Sequence, residues 1–249
     1  MSSPFELKGA DGKLIRGDYS HGAGRQILFI NGFLSERWGN KSRALVELCR
    51  DRNWGFCCFD FRGTGDSEGN FTDYTLKNWM EDTSAVVQMI GVYGPVLIVG
   101  SSLGGWLAWL AAQEHGTVQN LLLIAPAFNM MSERAREISP ERRHAWQTAG
   151  WMPYDDDEAH RRYPLSWKWV EESEELWQRR LAPPRRVKTT IMHGLQDTVI
   201  PPAVSWRFAQ HVLSQAPDFP IEIVFKTGDH RLSRPNDLVH FLRVLEKGV

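Results

Sequence analysis

The stretch PVLIVGSSLGGWLAWLAAQ, residues 95–113, decides how the chain is read. An apolar run at 96–99 leads into a cluster of glycines and serines, and an apolar helical run follows. Glycine and serine are ordinary turn residues, so a plain turn is one reading. The other is a nucleophile elbow, because residues 100–104 read Gly-x-Ser-x-Gly with Ser102 in the centre. A strand that enters a helix through so sharp a bend brings neighbouring backbone too close for Cβ atoms at the flanking positions. The same bend lifts the serine hydroxyl above the sheet. Ser101 is one residue out of register and points elsewhere.

Outward from this stretch the pattern repeats. QILFI (26–30), WGFCCFD (54–60), NLLLIA (120–125), VKTTIMH (187–193) and IEIVF (221–225) read as strands, like VLIVG (96–100). Between them RALVELC (43–49), residues 76–90, the run from Ser102, residues 202–214 and a last segment from Asn236 read as helices. On 76–90, Leu76, Trp79, Thr83, Val86, Val87 and Ile90 share one helical face. Apolar strands alternating with helices imply an α/β fold with a mostly parallel central sheet flanked by helices. Reactive groups in such sheets gather at the carboxyl ends of the strands.

Residues 127–185 break the alternation. They are charge-rich, show helical stretches and no convincing strand, and hold Trp146, Trp151, Trp167, Trp169 and Trp177. They are expected to form a helical cap, or lid, inserted into a core made of residues 1–126 and 186–249. Their aromatics are expected to pack the insertion onto the core, and lining an apolar substrate pocket is compatible with that. The acidic run DDDE at 155–158 reads as a helix start favoured by the helix dipole, not as a metal site.

At 249 residues, with 42% hydrophobic and 24% charged residues, the chain is long enough to bury a full core. A net charge of -1 gives no long-range attraction to nucleic acid or an anionic membrane. No apolar run approaches the ~20 residues that span a bilayer. The opening MSSPFELKGADGK has neither the basic-then-apolar pattern of a signal peptide nor an Arg-rich amphipathic segment, so a cytoplasmic address is expected. Cys49, Cys57 and Cys58 are an odd set without framework spacing, which reads as reduced buried thiols. No cofactor and no metal are expected.

A serine hydroxyl needs a base, usually a histidine held by a carboxylate. Among eight histidines, His230 stands in the loop after the last strand. His193 precedes Gly194 and reads as a turn position; His211 and His240 fall within helices. The carboxylate is sought in a loop after a strand, between serine and histidine, where HGLQD supplies Asp197. Asp229 adjoins His230 but points away from it along the chain, and Asp60 is expected to organise its own loop with Arg62. The order Ser102, Asp197, His230 is that of the α/β-hydrolase arrangement. For the oxyanion, the N–H of Leu103 follows the nucleophile directly, and INGF offers Phe33 as the second donor. On that segment alone a donor loop and a simple turn are both open.

The motifs INGF, DFRGTGDSEG, TLKNW, GSSLGGW, HGLQDTVIP and GDHR occur in the order expected of the α/β-hydrolase superfamily, which the chain resembles over nearly its whole length. More narrowly it resembles the mitochondrial palmitoyl-protein thioesterase branch and its bacterial relatives. The resemblance implies Ser102, Asp197 and His230 as a catalytic triad. It also implies hydrolysis of S-acyl cysteine thioesters and acyl-glucuronide esters, with a small-molecule or acylated-protein substrate. One departure is Asn31 before Gly32, where many members have His-Gly and the nearest branch Pro-Gly; a polar contact from Asn31 is expected. Two other readings keep the scaffold. A C–C bond hydrolase uses the same triad and needs a cation, such as Arg62 or Arg231, for a substrate carboxylate. A non-catalytic binding protein has no use for an intact triad. A dehalogenase or epoxide hydrolase wants Asp where Ser102 stands.

Overall fold

The computed structural model describes residues 2–156, 161–179 and 184–247. Its main sheet begins with β1 (Ser3–Lys8), β2 (Leu14–Ser20), β3 (Gln26–Ile30) and β4 (Gly55–Asp60). It continues with β5 (Val96–Ser101), β6 (Val118–Ile124), β9 (Lys188–Gly194) and β10 (Ile221–Lys226). The spatial order is β1-β2-β4-β3-β5-β6-β9-β10. All pairs from β4 to β10 are parallel, and only β1–β2 and β2–β4 are antiparallel. Every residue of β3 and β4 is buried, as covering of a parallel sheet on both faces requires.

Crossovers are made by α1 (Asn40–Asp51), α2 (Leu76–Gly91), α3 (Leu103–Glu114) and α7 (Ala203–Gln215), and the chain closes with α8 (Pro235–Lys247). Ten of the twelve residues of α3 are buried, so this helix is apolar on all sides and lies deep in the molecule. The connection from β3 leads to β4 on one side, while β5 lies on its other side. The carboxyl ends of β3 and β5 therefore flank a topological switch point, where open α/β sheets form their crevice.

Two pieces of structure depart from the sequence reading. The first is the hairpin β1–β2, whose outer strand is mostly exposed. An edge strand buries too little apolar surface to show as an apolar run. The second lies in the cap. It contains α4 (Met130–Glu137), α5 (Pro140–Ala149) and α6 (Lys168–Arg179), but also the antiparallel hairpin β7 (Trp151–Asp156) and β8 (Arg161–Ser166). The cap is thus mixed rather than all-helical. Asp155 and Asp156 end β7 instead of opening a helix, and the rest of DDDE lies outside the described residues.

The cap is held by specific contacts. Trp146 and Trp169 are buried, and the Trp146 indole N–H donates to the Leu165 carbonyl at 2.9 Å. Glu172 of α6 reaches the first turn of α2, accepting from the Lys77 N–H at 2.9 Å and the Thr75 hydroxyl at 3.0 Å. The Lys77 N–H is otherwise orphaned at the helix start, and a carboxylate there also meets the favourable end of the helix dipole. Trp151, by contrast, is exposed.

Candidate active site

Ser102 has φ 54° and ψ -121°, a conformation that a side-chain-bearing residue adopts only under constraint. The constraint is local. The Ser102 N–H is tied to the Ile124 carbonyl at 2.9 Å, and its carbonyl accepts from Gly105 and Ala127. A Cβ at Gly104 would lie 2.3 Å from the Ile30 carbonyl oxygen and 2.4 Å from that of Asn31. Glycine is thus what lets α3 start hard against the end of β3. Leu103 is the first residue of α3, so its N–H has no carbonyl one turn back within the helix.

The structure brings His230 and Asp197 to this serine. His230 Nε2 lies 3.1 Å from Ser102 Oγ, and its Nδ1 lies 2.7 Å from Asp197 Oδ2. The carboxylate is buried, whereas His230 keeps part of its ring open to solvent. Asp197 Oδ1 accepts the N–H groups of Val199 and Ile200 at 2.9 and 2.8 Å. Burial works to raise this carboxyl; hydrogen bonds from His193 and His230 and the charge of His230 outweigh it and hold the group well below the ordinary carboxylate range. The His230 loop reaches inward across the end of β9. Gly194 allows this, since a Cβ there would stand 2.4 Å from the Gly228 carbonyl oxygen. Asp229 faces its own loop, accepting from the Arg231 and Leu232 N–H groups at 3.1 and 3.0 Å.

The INGF segment packs on the serine: an ideal Cβ at Gly32 would be 3.2 Å from Ser102 Cβ. Asn31 is buried and makes the polar contact within its own loop, its Nδ2 donating to the Ser35 carbonyl. Its Oδ1 has no partner among the described residues. The Phe33 ring faces the cap, 5.3 Å from Trp169, 5.8 Å from Phe71 and 5.8 Å from Trp79. A separate cavity of about 460 Å³ opens at the seam between cap and core, lined by Thr72, Thr75, Gln147, Trp151, Trp167 and Glu171 among others; no triad candidate lines it.

Arg62 is not available to a substrate. It is buried, with Nε 2.6 Å from Asp82 Oδ1, Nη1 2.8 Å from Asp11 Oδ1, and Nη2 3.3 Å from both Glu81 Oε2 and the Asn78 carbonyl. This corrects the expected Asp60–Arg62 pairing. The fully buried Asp82 needs a cation, and Arg62 answers it. Asp60 is instead served by Arg37, through its N–H at 2.7 Å and its guanidinium. Burial pushes the Cys49 thiol up to about 12 and raises those of Cys57 and Cys58 as well, so none is poised to react. The sequence reading missed one site residue, His193. It is buried in β9 with Nε2 3.0 Å from Asp197 Oδ2, and its spacing four residues before Asp197 was the available signal.

A buried carboxylate, an imidazole and a serine in relay at a sheet's carboxyl edge define the layout of an α/β-hydrolase site. Residues 27–240 match the model of the alpha/beta hydrolase family, and the chain belongs to that family. It is 30% identical over 217 residues to the human palmitoyl-protein thioesterase ABHD10, mitochondrial, covering 85% of this chain and 69% of that protein. The structure of mouse alpha/beta hydrolase domain-containing protein 10 superposes with a TM-score of 0.86 at 25% identity, covering 98% of this chain and 97% of that one. Est1E from Butyrivibrio proteoclasticus, solved with ferulic acid, shares the fold at a TM-score of 0.79 and 20% identity, over 98% of this chain and 97% of that one. Among the described residues no helix is long and apolar enough to cross a membrane.

Proposed function

We propose that the protein is a serine hydrolase that cleaves acyl thioesters and carboxylic esters through Ser102, His230 and Asp197. The observation that carries the reading is the relay itself, with His230 set between Ser102 Oγ at 3.1 Å and Asp197 Oδ2 at 2.7 Å. The thioesterase name of the human relative supports acyl transfer from sulfur.

In this mechanism His230 Nε2 takes the Ser102 proton as Oγ attacks the acyl carbonyl. Asp197 stabilises the imidazolium and holds the ring, and the Leu103 and Phe33 N–H groups bind the oxyanion. One such donor is worth about 3–4 kcal/mol of barrier. His230 then protonates the departing thiolate or alkoxide, and the acyl group stays on Ser102. Water, deprotonated by the same imidazole, releases the acid. A thiolate, with a free pKa of roughly 8.5, needs less protonation than an alkoxide, so one triad serves both leaving groups. The partly exposed rings of Phe33 and Phe71, backed by the buried Trp169, form an apolar surface beside the INGF loop that suits an acyl chain better than a charged substrate.

The test is a turnover panel of acyl thioesters, oxygen esters and acyl glucuronides of graded chain length. Hydrolysis of esters and thioesters by the wild-type protein, lost in Ser102→Ala, is expected. A folded protein that turns over none of them refutes the reading.

A further inference from the structure

Asp197 is held by two imidazoles, not one. His193 lies in β9 with a fully buried side chain. Its Nε2 is 3.0 Å from Asp197 Oδ2 and 2.9 Å from the Ile200 carbonyl, and its Nδ1 is 2.7 Å from Ser205 Oγ. Both neighbours of Nε2 are pure acceptors, so Nε2 carries the proton and donates. The Ser205 hydroxyl is then free to donate to Nδ1, which assigns the tautomer from the network. Asp197 Oδ2 thus accepts from His230 and His193, while Oδ1 accepts from two backbone N–H groups.

We propose that His193 is a positioning residue of the hydrolytic site: its Nε2–H fixes the Asp197 carboxylate and, by sharing Oδ2 with His230, sets how strongly that oxygen holds the imidazolium. This rests on the triad reading above. Two consequences follow from the shared oxygen. A carboxylate that loses one of its four donors gains freedom to rotate, which misplaces His230 and slows the chemical step. An oxygen relieved of one donor also concentrates its charge on the other, which stabilises the protonated ring. Among the described residues the two imidazoles are the ionisable groups bonded to this carboxylate; on the His230 loop, Asp229 is turned to Arg234 and to backbone N–H groups.

The experiment compares His193→Leu, which removes the donor, with His193→Gln, whose amide retains one. For His193→Leu, kcat on a short activated ester is expected to fall on the order of 10-fold or more. The acid limb of the kcat/KM profile is expected to move up by roughly half to one pH unit, because the imidazolium is held more tightly. His193→Gln is expected to recover most of both. A fall in kcat with the acid limb unmoved, or no recovery by Gln in a folded variant, overturns the proposal. If His193→Leu does not fold, the native protein decides: ¹⁵N NMR of its histidines must show His193 with a protonated Nε2, and a bare Nε2 overturns it. Absence of turnover by the wild-type protein is the separate failure of the hydrolase reading, and the NMR arm stands apart from it.

Discussion

Replacing Gly104 by alanine tests the elbow at its tightest point. The new methyl would stand 2.3 and 2.4 Å from the carbonyl oxygens of Ile30 and Asn31, against 3.4 Å for ordinary contact. Both neighbours are backbone, so the shortfall of about 1 Å has to be met by moving the start of α3, the end of β3, or both. Alanine gains up to about 1 kcal/mol over glycine in helix propensity. Overpacking a fixed core costs about 1–3 kcal/mol, so the net effect on stability is a loss. The larger effect falls on rate. The end of β3 carries the INGF loop and the start of α3 carries Ser102, and a 1 Å misplacement at a reacting centre costs on the order of 100-fold. That corresponds to about 2.7 kcal/mol of lost transition-state binding. Steady-state kcat and KM on a short p-nitrophenyl ester, with urea unfolding of the same variant, measure both. Gly116→Ala is the control, since nothing lies within 4 Å of its added Cβ. A Gly104→Ala protein with kcat/KM within about twofold of wild type and an unchanged unfolding midpoint would refute the packing argument.

Arg62→Ala should cost about 3–5 kcal/mol in urea unfolding, because it leaves the fully buried Asp82 uncompensated; a loss under 1 kcal/mol would mean water reaches that carboxylate. Asp197→Asn should lower kcat by about 10⁴-fold while the fold survives, and activity retained within tenfold would remove Asp197 from the relay. Because the native Asp197 carboxyl is held below its unfolded value of about 3.9, its stabilisation is complete above that pH and is lost as pH falls through the lower native value. Unfolding midpoints of wild type and Asp197→Asn should therefore converge on acidification below pH 4, and parallel curves would contradict the assignment. Trp169→Ala should destabilise by about 3–5 kcal/mol and change acyl-chain preference more than turnover of an acetyl ester; an unaltered chain-length profile would separate the aromatic wall from substrate binding.

The six parallel strands were legible because each carries an apolar run, and the observed bounds fall within a residue or two of the expected ones; β3 and β4 are buried throughout, while the edge strand β10 is only half-buried. The candidate site was legible for the same topological reason: Phe33, Ser102, Asp197 and His230 each follow a strand. The hairpins β1–β2 and β7–β8 were not, because their sequences, SPFELK, LIRGDYS, WMPYDD and RRYPLS, carry no apolar run. His193 was misread through its neighbour. Gly194 looked like a turn signal, but it ends β9 and makes room for the crossing His230 loop, which leaves His193 buried against Asp197. The Arg62–Asp82 and Arg37–Asp60 pairs join residues about twenty positions apart, and no local pattern announces which cation meets which carboxylate.

All of the proposed chemistry depends on His230 activating Ser102. Intact-mass and peptide-level mass spectrometry of the protein treated with a fluorophosphonate reads that directly. A single adduct on Ser102 is predicted, absent in Ser102→Ala and slowed at least ~1,000-fold in His230→Ala. A folded wild-type protein that stays unlabelled, or carries the adduct on another residue, contradicts it.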